Sequence, residues 1–289
     1  MAPTRLEVIR DMYDARAPIY EDDGKDGSSD FHKAQAIDYI EWMALSPGFK
    51  VLDLACGTGG ISMPAARTVG PSGTVIGVDI SPASLKLART KAARENLSAT
   101  FLEHDIENLS GLDGIEEGKF DVIACASAMV LLEDPGTCVK KWAKLLKPGG
   151  RLIFDTSTND SLVPGRCFDI VKQELNMFTV YGSKIALGTV AKVKQMLEDA
   201  GLDGGESFIS RNYVEFKGVE EIDATKGGEL FESIMQRDGW VKRWYEELRQ
   251  PGVRDKAKDI FCRELSKLAD DSGKVESYFR FNVAVGKKV

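Results

Sequence analysis

Residues 51–60 read Val-Leu-Asp-Leu-Ala-Cys-Gly-Thr-Gly-Gly, and the chemistry of the chain is concentrated there. Apolar residues around Asp53 make a buried strand, the glycines a tight turn, and residues 61–67 the start of a helix. Glycine reaches positive φ and lets the backbone approach a ligand without a Cβ clash. The amides at a helix N-terminus favour an anionic group such as a carboxylate or phosphate. Twenty-two residues after Gly57 a second strand ends in Asp79, whose carboxylate can accept hydrogen bonds from both hydroxyls of a ribose. The pattern describes a cleft for a nucleoside with an anionic end. A nicotinamide dinucleotide fingerprint would place a third glycine at position 62, where Ser62 stands.

The elements that must position these groups follow in order. Strand patterns cover residues 51–55, 73–79, 99–103, 120–125 and 151–155, and helical patterns cover 61–67, 81–96 and 138–146. Strand and helix in repeated succession predict parallel β-α-β units, and the nearly continuous apolar strands fit a sheet covered on both faces. Right-handed crossovers then give an α/β, doubly wound, Rossmann-like sheet with ligands at the carboxyl ends of its strands. Beyond it lie a helix over 193–200 and strand-like composition at 208–216 and 275–285. Residues 217–275 between them read as mostly helical. Ahead of the sheet, residues 6–20 form one or two helical turns, the acid-rich stretch 21–30 a loop, and Ile37, Ile40 and Ala44 one face of a helix. Three units result: an N-terminal helical cover over 1–45, a core of 46–216 with 276–289, and a helical insertion over 217–275.

At the Asp-x-Ala-Cys-Gly-Thr-Gly run the sequence resembles the class I S-adenosylmethionine-dependent methyltransferases. The subgroup most similar is that of small-molecule enzymes including ubiquinone- and menaquinone-biosynthesis C-methyltransferases. The resemblance covers residues 33–155 well and implies a seven-stranded sheet with S-adenosyl-L-methionine as cofactor. It also implies roles for particular residues. Asp53, Ala55 and the backbone of Gly57, Thr58 and Gly59 would hold the methionine end, and Asp79 the ribose. Ile80 and Ile106 would cover the two faces of the adenine, whose amino group Asp105 would accept. Ala126 and Ser127 would lie beside the sulfonium. Tyr13 and Tyr20 match an N-terminal Tyr-x(6)-Tyr element that closes over the cofactor in relatives.

The acceptor is approached by elimination. Residues 125–129, Cys-Ala-Ser-Ala-Met, are not the Asn-Pro-Pro-Tyr of nucleic-acid and glutamine amino-methyltransferases. The charge of −7, with 38 basic against 45 acidic residues, independently disfavours nucleic acid as a partner. Five cysteines without a close pair fit neither a metal cluster nor a disulfide framework, so no metal is expected. With no apolar signal core in its opening residues and no run long enough to cross a bilayer, the chain reads as cytoplasmic, off the membrane, and a monomer or homodimer. A small apolar or aromatic acceptor remains, with Phe231, Met235, Trp240, Trp244 and Tyr245 of the insertion as candidates to roof its pocket. Only two histidines occur; His104 adjoins the adenine acid, which leaves His32 as the candidate catalytic base. A protein of the same fold that binds the cofactor and catalyses rearrangement, or regulates, is the alternative.

Overall fold

Along β1 (Lys50–Leu54) the side chains alternate: Leu52 and Leu54 enter one apolar core, Val51 the other. β2 (Thr74–Asp79) repeats this, with Ile76 and Val78 on the first face and Val75 on the second. A strand buried on both faces must lie inside a sheet covered by helices on each side. The computed structural model describes residues 4–18, 28–179, 188–213, 220–237 and 240–289, with the backbone alone at 28–30, 240 and 243. β3 (Ala99–Glu103), β4 (Phe120–Cys125), β5 (Leu146–Ser157), β6 (Leu202–Ile209) and β9 (Phe281–Lys288) complete a seven-stranded sheet of order β3-β2-β1-β4-β5-β9-β6. The first five of these strands pair in parallel, whereas β9 runs antiparallel to both β5 and β6.

The helices take the two faces. On one side α5 (Pro135–Leu145) and α7 (Val190–Asp199) supply Val139, Trp142, Val193 and Leu197 to the core. On the other, α2 (Ser28–Met43) and α3 (Ser62–Val69) supply Tyr39, Met43, Ala65 and Val69. α4 (Pro82–Arg94) begins with Ser81 as its cap, as the Ser-Pro pair dictates. α1 (Arg5–Arg16) is three turns long, where the sequence suggested one or two, and a Thr4–Glu7 capping box starts it. Strand order reverses between β1 and β4, so the crevice at their carboxyl ends is the natural ligand site.

The insertion adds two short strands to its mostly helical content. β7 (Glu220–Asp223) pairs antiparallel with β8 (Lys274–Ser277), closing the unit at its base. Between them lie α8 (Gly227–Met235), the short α9 (Trp240–Trp244) and α10 (Arg254–Lys267). Its core also includes α6 (Val163–Glu174): Phe168 packs on Phe231, Tyr245 and Phe261 at ring-centroid distances of 5.5, 4.2 and 4.6 Å. Residues 275–285 are two strands, because Tyr278 leaves the β8 line to bridge Ser161. Residues 21–27 of the acid-rich stretch lie outside the described residues, and 28–30 open α2. No helix among the described residues is long and apolar enough to cross a membrane.

Candidate functional site

A cavity of about 1040 Å³ opens at the carboxyl ends of β1 and β4. Asp53 stands two residues beyond Val51 and therefore faces the α3 side, where Ser62 Oγ donates to its Oδ2 at 2.5 Å. Burial pushes this carboxyl up to about 7, with Ser62 opposing the shift. Ala55 and Gly57 follow in the left-handed region, at φ 55° and 53°. A Cβ on Gly57 would meet nothing within 4 Å, so the loop presents bare backbone to the cavity there. Gly59 does not line the cavity; a Cβ on it would reach Met63 Cε at 2.8 Å, so it lets the loop pack down onto α3. No side chain caps the N-terminus of α3.

Asp79 is tied to the same loop. Its Oδ2 accepts from the Gly57 amide and its Oδ1 from the Ser81 amide, both at 2.8 Å. Asp79 lines the cavity, where a carboxylate oxygen can accept from more than one donor. Ile80, Asp105 and Ile106 line the cavity beside it. Asp105 Oδ1 accepts from the Glu107 amide at 2.9 Å, and Trp142 Nε1 donates to the Ile106 carbonyl at 3.0 Å, which together hold this loop in shape.

Across the opening lies α1. Asp14 Oδ1 accepts from Ser81 Oγ at 2.6 Å and from the Ala83 amide at 3.1 Å, placing a carboxylate at the positive end of α4. At its other end Arg5 pairs with Glu107 at 2.9 Å and donates to the Leu131 carbonyl. The helix thus spans the cleft, and Tyr13 projects from it into the cavity wall. Burial raises the Tyr13 phenol, Arg16 lies 5.7 Å from its ring centroid, and Asp79 adds to the upward shift. Tyr20 lies outside the described residues.

The floor is a buried polar network that sequence reasoning did not reach. Ser127 sits at φ 54°, after β4, and its amide donates to both oxygens of Asp155, at 3.1 and 3.2 Å. Tyr39 OH donates to Asp155 Oδ2 at 2.5 Å and Gln35 Nε2 at 3.0 Å, while Gln35 also bonds Ser127 Oγ. A serine held at positive φ costs on the order of 1–3 kcal/mol, and four hydrogen-bonding groups over-determine it here. Burial pushes Asp155 up to about 7, with the bonds from Tyr39 and Ser127 opposing it. Asp155 was visible only as a strand-ending acid; Gln35 and Tyr39 carry no local signal of the role. Ala126 lines the cavity next to Ser127, and His32 lines it from α2 with its ring 4.6 Å from that of Phe31.

The insertion and α6 make the remaining wall. Trp244 and Tyr245 line it, as do Leu230, Ile234 and Val241. Phe231 and Met235 do not: they are 0% and 3% exposed and lie in the core shared with α6. The side chain of Trp240 lies outside what the structure describes. Among the described residues no three acidic, histidine or cysteine side chains group as metal ligands do.

The mostly parallel sheet with a reversed order at β1/β4, a glycine turn tied to a strand-ending carboxylate, and a roofed cavity beside it define a Rossmann-like fold with a ligand cleft at its switch point. Comparison with known proteins sharpens this: the model of the methyltransferase domain family matches residues 45–201, more than half of the chain, and the chain belongs to that family. It is 30% identical over 142 residues to nocamycin O-methyltransferase of Saccharothrix syringae, covering 49% of this chain and 48% of that one. It is 32% identical over 146 residues to 2-phytyl-1,4-naphtoquinone methyltransferase of Synechococcus elongatus, covering 50% and 61%. The chain thus spans about half to three fifths of the length of these curated relatives. Magnesium protoporphyrin IX methyltransferase of Synechocystis, solved with bound SAM, shares the fold at a TM-score of 0.53 and 20% identity, covering 73% of this chain and 93% of that one.

Proposed function

We propose that this protein transfers the methyl group of S-adenosyl-L-methionine to a small apolar or aromatic molecule by in-line displacement. One observation carries the reading: the family match over 45–201 contains the strand ends and loops, from Asp53 to Ser127, that build the nucleoside end of the cavity. The naphthoquinone named for one relative supports an aromatic acceptor. In this reading Asp53 and the backbone at Ala55, Gly57 and Thr58 hold the methionine end, and Gly59 lets that loop pack on α3. Asp79 accepts from the ribose hydroxyls, Ile80 and Ile106 flank the adenine, and Asp105 accepts its amino group. Tyr13 closes the opening. The bound cofactor supplies an electrophilic methyl on a sulfonium. Ser127 and Ala126, fixed by Asp155 and Gln35, form the floor beside it, and α1 with the 217–275 lid excludes water.

The acceptor lies under Trp244 and Tyr245, and the roles of Trp240, Phe231 and Met235 are to build that lid. We place His32 as the base that takes the proton from a hydroxyl acceptor through an imidazole nitrogen. His32→Ala should lower turnover of a phenolic acceptor about 100-fold and flatten its pH profile between 6 and 8, with cofactor affinity unchanged. Unchanged turnover across that range removes His32 from the chemistry. The protein works in this scheme as a cytoplasmic monomer or homodimer on free small molecules, with nucleic acid and membrane uninvolved. Labelled cofactor incubated with phenol, quinol and amine panels tests the function: label in an acceptor supports it, and binding of cofactor without transfer to any acceptor defeats it.

The site also predicts a proton linkage. Asp53 holds its proton up to about pH 7 in the unliganded cleft, and an incoming ammonium favours the carboxylate. S-adenosylhomocysteine should therefore bind about tenfold more tightly at pH 8 than at pH 6, releasing up to one proton near pH 6.5. Calorimetry in buffers of different ionisation enthalpy measures this. Equal affinity at both pH values, or the same dependence in Asp53→Asn, would refute it.

A further inference from the structure

Arg166 stands in the first turn of α6, four residues after Leu162, which enters the helix at φ 52° and ψ 40°. It lines the cavity next to Phe168, whose ring stacks on that of Tyr245 at 4.2 Å. Its Nη1 is buried and has no hydrogen-bond partner among the described residues. The nearby acids do not complete it. Asp160 already accepts from both Arg280 and Thr158. Asp169 accepts from Thr179 at 3.0 Å and, with burial pushing it up to about 7, attracts Arg166 through charge without a bond to Nη1. A cation in the first turn of a helix also opposes the helix dipole. Among the described residues Asp160 and Asp169 act on the guanidinium through charge alone, while burial lowers its pKa and Nη1 is left an unused donor.

We propose that Arg166 is the anion-recognition residue of the acceptor pocket, and that the acceptor is an aromatic or apolar molecule bearing a planar oxyanion such as a carboxylate. The guanidinium fork matches two carboxylate oxygens, and the adjacent Phe168–Tyr245 wall takes the apolar body. This deepens the methyl-transfer reading and rests on it, since it assigns the cofactor to the other end of the same cavity. It changes the acceptor from simply apolar to amphipathic.

The test uses the full-length protein saturated with S-adenosylhomocysteine, with 2-naphthoate and benzoate as probes and their methyl esters as uncharged controls, followed by calorimetry. Wild type should bind at least one acid 10- to 100-fold more tightly than its ester, the range of a charge-assisted pair. Arg166→Met, which keeps the apolar stem, should erase that preference, and Arg166→Lys should retain part of it. Affinity for S-adenosylhomocysteine should stay within twofold, and the thermal midpoint of Arg166→Met should lie at or above that of wild type, because an unsatisfied buried donor is removed. Absence of any acid-over-ester preference in wild type overturns the proposal, as does a preference that survives in Arg166→Met. If Arg166→Met does not fold, full acid preference in Arg166→Gln overturns it instead. Failure of wild type to bind S-adenosylhomocysteine at all defeats the underlying methyl-transfer reading, a separate result.

Discussion

Asp79→Ala will weaken binding of S-adenosylhomocysteine by a factor of 100 to 1000. The carboxylate makes two demands on the structure at once. Its oxygens accept from the Gly57 and Ser81 amides at 2.8 Å, and the side chain lines the cavity, where a carboxylate can accept from a further donor. Alanine removes the acceptors for a vicinal diol and lets the glycine turn drift. A hydrogen bond to a charged group is worth roughly 1.5–3 kcal/mol, so two of them correspond to at least a hundredfold. Asp79→Asn keeps the shape and part of the accepting capacity and should lose about 10- to 50-fold. The fold should survive both changes, because burial already penalises the Asp79 carboxylate and raises its pKa. Calorimetric titration with circular dichroism as the folding control decides the matter. An alanine variant within threefold of wild type would mean that the ligand is not held by its ribose at this position.

The second large effect is on stability, at Asp155. Its native pKa of about 7 exceeds the ordinary 3.8, so between those values the folded protein keeps a proton that the unfolded chain releases. Stability from this group is therefore greatest at the acid end and declines as pH rises toward 7. The decline is about 1.4 kcal/mol per pH unit, or about 3 kcal/mol from pH 5 to pH 8. Asp155→Asn mimics the protonated form and cannot ionise. Relative to wild type the variant should gain that amount of stability across the same range. Asp53 and Asp169 are also pushed up to about 7, so both proteins will lose stability with rising pH, and only the difference between them isolates Asp155. Urea unfolding at pH 5, 6, 7 and 8, followed by tryptophan fluorescence, supplies it. A difference constant to within about 1 kcal/mol would show that the Gln35, Tyr39 and Ser127 bonds stabilise the carboxylate enough to hold its pKa near the ordinary value.

These two residues mark the boundary of what a linear reading can reach. Asp79 was legible because everything that defines it is local. A strand, a glycine turn and a helix follow one another, and the right-handed crossover places the end of the next strand beside that turn. Lys50 pairs with Thr74 and Leu54 with Val78, and the Asp79 carboxylate then meets the Gly57 amide without further help from the chain. The strands at 99–103 and 120–125 were legible for the same reason, since each alternates or buries its residues within five or six positions.

Tertiary structure alone decided the rest. Gln35, Tyr39, Ser127 and Asp155 come from three separate parts of the chain, and only the packing of α2 against β4 and β5 turns them into one network. The stripe Leu230, Phe231, Ile234, Met235 announces a helix but not its rotation. All four join the core shared with α6, and of them only Leu230 and Ile234 also line the cavity. The same holds for Arg166, which a sequence presents as one more surface charge until the fold sets it in the cavity wall. Periodicity and short-range geometry specify which backbone forms and which loop meets which strand end. Which face of a doubly apolar helix looks at a ligand, and which buried polar atoms find partners, depends on contacts between segments more than 80 residues apart, as Gln35 and Ser127 are.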